Sequence, residues 1–159
     1  MPRPATTRLV LALASLIAAA CSRVAPATSP APRFGDLMAE VGHRFERAGR
    51  AAGAGRFALA RYDIGELREL FEEDAPRAQL PAGANFELHA QAQAFAHAQL
   101  GPLEQAATRA DKAQFARAFA AAAAACNACH VAAGRGFLVV PSQPGEAVPL
   151  LTDVTPTGT

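Results

Sequence analysis

The stretch from Asp111 to Ala133 constrains this chain more than any other. It holds an unbroken alanine run, Ala120 to Ala125, and Ala is the strongest helix former. Gly134 and Gly136 end it. Phe115, Phe119, Ala122, Cys126 and Cys129 fall at intervals of 4, 3, 4 and 3, so they share one face, with His130 at its edge. A helix of this kind has to bury that face against other helices. Val and Ile are scarce, so an all-α domain is expected rather than a sheet. The 159 residues suffice for one such domain once the ends are set aside.

Three more helical stretches are expected upstream. The first runs from about Phe34 to Ala52, with Leu37, Met38, Val41, Phe45 and Ala48 at helical spacing and Gly53-Ala54-Gly55 as its stop. The second runs from about Phe57 to Asp74, with Leu59, Tyr62, Leu67, Leu70 and Phe71 as its apolar side. The third starts near Asn85 as N-cap and carries Phe86, Leu88, Phe95 and Leu100. Gly101-Pro102 is expected to break or kink it before a further piece to Thr108. Long helices with short connections suit an antiparallel four-helix bundle over residues 34–140, followed by an irregular tail, 141–159.

The chemistry of the chain is concentrated in Cys126-Asn127-Ala128-Cys129-His130. Two thiols one helical turn apart match two thioether bonds to one haem, and the adjacent imidazole can reach the iron from one side. One covalent haem c per chain is therefore expected, held by Cys126 and Cys129 with His130 as proximal iron ligand. Other readings of C-x-x-C fit less well. A thioredoxin-like redox pair wants a strand-turn-helix setting, and zinc wants about four ligands where three are clustered. A disulfide across so short a loop would add little. With nine Phe, one Tyr and no Trp, the core is small, and a large cofactor would help to fill it.

The amino terminus reads as an export signal over residues 1–20. Arg3 and Arg8 precede an apolar run from Leu9 to Ala20, too short for a bilayer span of roughly 20 residues. Ala18-Ala19-Ala20 reads either as an ordinary cleavage site or as the start of a lipoprotein box in which Cys21 is lipidated and becomes the new N-terminus. Cys21 has no evident partner, which favours lipidation. Residues 21–33, rich in Pro, Ala, Ser and Thr, then form a flexible tether. A periplasmic protein is expected, with a membrane anchor only through that lipid. The net charge of +1 and the lack of a basic patch give no sign of nucleic acid binding.

A haem motif on the last helix of a four-helix bundle resembles the cytochrome c prime superfamily of class II c-type cytochromes. The likeness spans residues 34–133 and includes the first helix, Asp36-Leu37-Met38-Ala39-Glu40-Val41-Gly42-His43-Arg44-Phe45. In that family the first helix supplies the residue over the distal haem face, which implies Met38. The segments around His43-Arg44-Phe45, Leu59-Ala60-Arg61-Tyr62 and Cys126 to Pro141 are also similar to a small bacterial branch in which a first-helix His recurs, which implies His43. The chain departs from the family in two ways. Gly134 stands where a basic residue is usual, and the sequence continues past the haem helix. Homodimers are common in the family, so a homodimer is a candidate assembly.

The sixth iron position decides the function. Met38 or His43 there gives a low-spin haem suited to one-electron transfer with a redox partner protein or quinone-linked chain. An apolar distal face leaves an open iron for NO or CO. The two candidates lie about 140° apart around a helix, so only one of them can address the iron. His89 and His97 on the third helix are further candidates for that position, and otherwise read as polar surface. Electron transfer rather than enzymatic turnover is expected; peroxidase-like chemistry would need an acid–base group beside an open iron, for which His43 is the available residue.

Overall fold

The computed structural model describes residues 30–80, 82, 83 and 87–145. The signal segment, Cys21, Asn85, Phe86 and the tail beyond 145 lie outside the described residues. Those described are all-helical, with no strand, and pack as a bundle of four helical rods.

The first rod is α1, Phe34–Gly53. Its helical-spaced residues Leu37, Val41, Phe45, Ala48 and Ala52 are buried. It stops where Gly55 takes a φ of +78°, a region that favours glycine, and the Arg56 N–H turns back to the Ala51 carbonyl. The second rod begins with α2, Phe57–Glu69, which buries Ala60, Ile64 and Leu67. It does not continue as plain α-helix to Asp74. Leu70–Asp74 forms a π-helical turn and Ala75–Arg77 a 3-10 turn. The third rod is α3, Leu88–Phe95, then a π-helical turn, Ala96–Leu100, then α4, Gly101–Thr108.

Both π-helical turns end two residues before a proline, Pro76 and Pro102. Proline has no N–H to give the carbonyl four residues back, and its ring crowds that carbonyl. Widening the preceding turn re-satisfies the backbone without breaking the rod. The break or kink expected at Gly101-Pro102 is therefore replaced by a widened turn within a continuous rod.

The fourth rod, α5, spans Lys112–Ala132. Asp111 caps it, its Oδ1 accepting from the Gln114 N–H at 2.9 Å. By length and composition alone, α5 is apolar enough to cross a membrane, the one such helix among the described residues. Here it packs Phe115, Phe119, Ala122 and Ala123 into the bundle core.

Specific contacts fix the direction of each rod. The backbone of Phe34 bonds to the Gln79 carbonyl, placing the start of α1 beside the end of the second rod. Phe71 packs on Phe95 with ring centroids 4.7 Å apart, while Arg68 reaches Glu104 at 3.1 Å, so the second and third rods are antiparallel. A tight turn over Arg109–Asp111 reverses the chain into α5. The N-terminus of α1 and the C-terminus of α5 consequently lie at the same end of the bundle.

One buried polar feature ties α1 to α2. Asp63 is fully buried, and its carboxylate takes two hydrogen bonds from the Arg47 guanidinium, the Nε contact at 2.8 Å. Arg44 Nη1 adds a third at 3.3 Å and also pairs with Glu40 and Glu66. Its guanidinium lies over the Tyr62 ring, 5.7 Å from the centroid. These partners hold both guanidinium groups protonated, above the usual arginine range.

Candidate functional site

The motif occupies the last two turns of α5, where burial stops. Phe115, Phe119, Ala122 and Ala123 are buried, but no residue from Ala124 to Ala132 is. Cys126, Cys129 and His130 are half-buried, and Val131 is exposed. Successive helical residues turn by about 100°, so Cys126, Cys129 and His130 fall within an arc of about 100°. The two thiols are not joined in a disulfide. Burial, and then the neighbouring Cys129, pushes the Cys126 thiol up to about 12, and burial also raises Cys129. Protonated thiols of this kind are poor redox nucleophiles.

Past the helix, Gly134 adopts a φ of +69° and reverses the chain. The Arg135 N–H closes on the His130 carbonyl at 2.7 Å. The chain then returns along α5. The Leu138 carbonyl lies 2.7 Å from His130 Nδ1. A carbonyl oxygen can only accept, so the proton of that bond sits on Nδ1, and Nε2 is the ring nitrogen left to meet a ligand. One step further, the Asn127 side chain bonds Val140 twice. Its Nδ2 donates to the Val140 carbonyl at 2.9 Å, and its Oδ1 accepts from the Val140 N–H at 2.7 Å.

The other candidates are placed by the contact of α1 with α5. Phe45 stacks on Phe119, ring centroids 4.2 Å apart and planes 13° from parallel. Met38 lies seven residues before Phe45, and Cys126 seven after Phe119. Seven residues are nearly two full turns, so each shares the face of its phenylalanine. Because the helices are antiparallel, both sit about 10 Å from the stack in the same direction. Met38 is half-buried and packs against the core. His43 lies about 200° around α1 from Phe45 and is exposed. His89 and His97 are exposed as well. Cys21 lies outside the described residues.

These residues fit a covalently attached macrocycle better than a bare metal ion. Among the described residues, no group of three or more His, Cys, Asp or Glu converges to hold a metal ion. Zinc would need such convergence. A haem does not, because its two thioethers form at separate carbons of the ring edge and a single imidazole meets the iron. The arrangement offers two free thiols one turn apart and an imidazole with Nε2 available, on the stretch of α5 where burial stops.

Two features at the site went unnoticed in the sequence. The first is the return segment through Leu138 and Val140, which has no periodicity to mark it; Asn127, a polar residue inside the motif, is its one sign in the sequence. The second is Gly49. A Cβ there would lie 2.5 Å from Phe119 Cε2 and 2.9 Å from Pro144 Cβ. No side chain fits where α1, α5 and the returning chain meet.

No family model matches the chain, and no curated protein or solved structure matches it either.

Proposed function

We propose that this chain is an exported monohaem c-type cytochrome of the class II type that transfers single electrons with a redox partner. The observation that carries the reading is the state of the motif at the end of α5. Cys126 and Cys129 are free and half-buried on one arc, and the Leu138 carbonyl fixes the His130 proton on Nδ1. Cys126 and Cys129 hold the group, and His130 Nε2 is the proximal ligand. A haem bound there supplies a one-electron iron couple.

Met38 is the residue we assign to the distal position. It is half-buried, and it leaves α1 on the Phe45 face at the level where Cys126 leaves α5 on the Phe119 face. His43 points from another side of α1 and is exposed. A thioether ligand favours the reduced iron relative to a second imidazole and suits electron transfer. Met38 packs against the core to which Leu37, Val41 and Phe45 belong. Export through residues 1–20 fits a compartment where such proteins mature, and lipidation of Cys21 is the form of membrane attachment we assign.

The test is the visible spectrum of the purified full-length product, oxidised and reduced, with and without CO. A low-spin spectrum that CO leaves unchanged supports electron transfer. A high-spin ferrous spectrum that shifts with CO would replace it with gas binding.

A further inference from the structure

Apart from Val140, which packs against the bundle core, little apolar burial holds the segment that returns along α5. Phe137 and Val139 are 77% and 71% exposed, and Leu138 is 50% exposed. Between the turn at Gly134, where the Arg135 N–H bonds the His130 carbonyl, and the contact of Pro144 with α1, the segment meets side chains of the motif through two attachments. These are the Leu138 carbonyl on His130 Nδ1 and the double bond of Asn127 with Val140. Val140 is two residues from Leu138. Asn127 is three residues from His130, and so nearly one helical turn away. Each amide group of Asn127 has a distinct task, since its Nδ2 donates and its Oδ1 accepts. Among the described residues, no other side chain both donates to and accepts from the backbone of a single residue.

We propose that Asn127 is a positioning residue for the iron ligand. By clamping Val140 it holds the Leu138 carbonyl on His130 Nδ1, and through that bond it sets how strongly Nε2 donates. The inference rests on the haem reading and goes beyond it. A carbonyl accepting from Nδ1 raises the basicity of the imidazole, and a more basic ligand favours ferric iron. Releasing the clamp lets the carbonyl drift, weakens that bond and favours ferrous iron. A residue that only tacked down the tail would change stability and leave the redox equilibrium where it was.

The experiment uses full-length protein matured with haem: wild type, Asn127→Leu and Val140→Pro. Val140→Pro removes the N–H that Asn127 Oδ1 accepts and leaves the attachment motif untouched, so it decides the matter if Asn127→Leu matures poorly. Haem content is measured first and the reduction potential by spectroelectrochemistry second. The expected result is wild-type haem content with the redox equilibrium moved roughly tenfold toward ferrous iron. For a one-electron couple that is a rise of about 59 mV. Full haem content with a potential equal to that of wild type in both variants would overturn the proposal and leave the haem reading standing. A wild-type protein without haem would overturn the haem reading, and this inference with it.

Discussion

The ring of Phe45 lies flat on that of Phe119, and this stack sets the register between the first and last helices. Two turns along each helix toward the same end, it brings Met38 and Cys126 to one level on facing sides. In the proposed cytochrome Cys126, Cys129 and His130 would hold the haem, and Met38 would be the residue of α1 available to it. His43, on the same helix as Met38, is carried away from that level and into solvent.

Replacing Met38 by Ala should therefore turn a low-spin, CO-insensitive ferrous spectrum into a high-spin one that shifts on adding CO. His43→Ala should leave the spectrum unchanged. Absorption spectra of the two holoprotein variants decide the assignment; the reverse pattern would transfer the distal role to His43.

The Asp63 carboxylate is fully buried against Arg47, with Arg44 beside it. Asp63→Ala leaves the buried Arg47 charge without its partner and should cost about 3–5 kcal/mol in urea denaturation. Replacing both members by apolar residues of similar volume, Arg47→Met with Asp63→Leu, should recover most of that loss. A double variant as unstable as the single one would mean that the pair contributes more than mutual compensation.

Gly49→Ala forces Phe119 and Pro144 apart, since its Cβ would stand 2.5 and 2.9 Å from their atoms. Overpacking of this kind costs roughly 1–3 kcal/mol. Thermal unfolding should show it, together with a faster loss of amide protection at Val140 as the return segment loosens. Gly53→Ala, where nothing lies within 4 Å of the added atom, is the control and should be close to neutral.

The Cys126 thiol is raised from 9.0 to about 12 in the folded chain, chiefly by burial. Folding without haem thus favours the protonated thiol. That contribution is present below pH 9 and is lost as pH rises toward 12. Haem-free protein should lose stability over this window, and Cys126→Ser should lose less. Denaturant midpoints between pH 8 and 11 measure the difference. Thioether formation removes the titrating proton, so haem-loaded protein should not show this component.

Much of the fold was legible because helical periodicity is a local signal. The faces of α1 and α5 follow from Leu37, Val41 and Phe45 and from Phe115, Phe119 and Ala122, all of which are buried. Gly55 and Gly134 stop their helices at positive φ. The π-helical turns were less legible, because proline at 76 or 102 predicts trouble for the helix without saying how it will be absorbed. The Arg47–Asp63 pair escaped notice because charge on a helix usually marks a solvated face, and only the pairing of two helices buries it. At the site, the motif can be read in five consecutive residues. The Leu138 carbonyl on His130 and the Asn127 clamp depend on a chain reversal that shows no periodicity.

Covalent attachment of one haem to Cys126 and Cys129, as proposed, is read from haem retention under denaturing conditions. The full-length chain, expressed in a host that matures c-type cytochromes, is denatured, separated by size and assayed for haem in the protein band. The expected result is haem that stays with the polypeptide in the wild type, is lost in the Cys126→Ser, Cys129→Ser double variant, and amounts to one group per chain. A wild-type band without haem, from a host that loads a known c-type cytochrome in parallel, would contradict it.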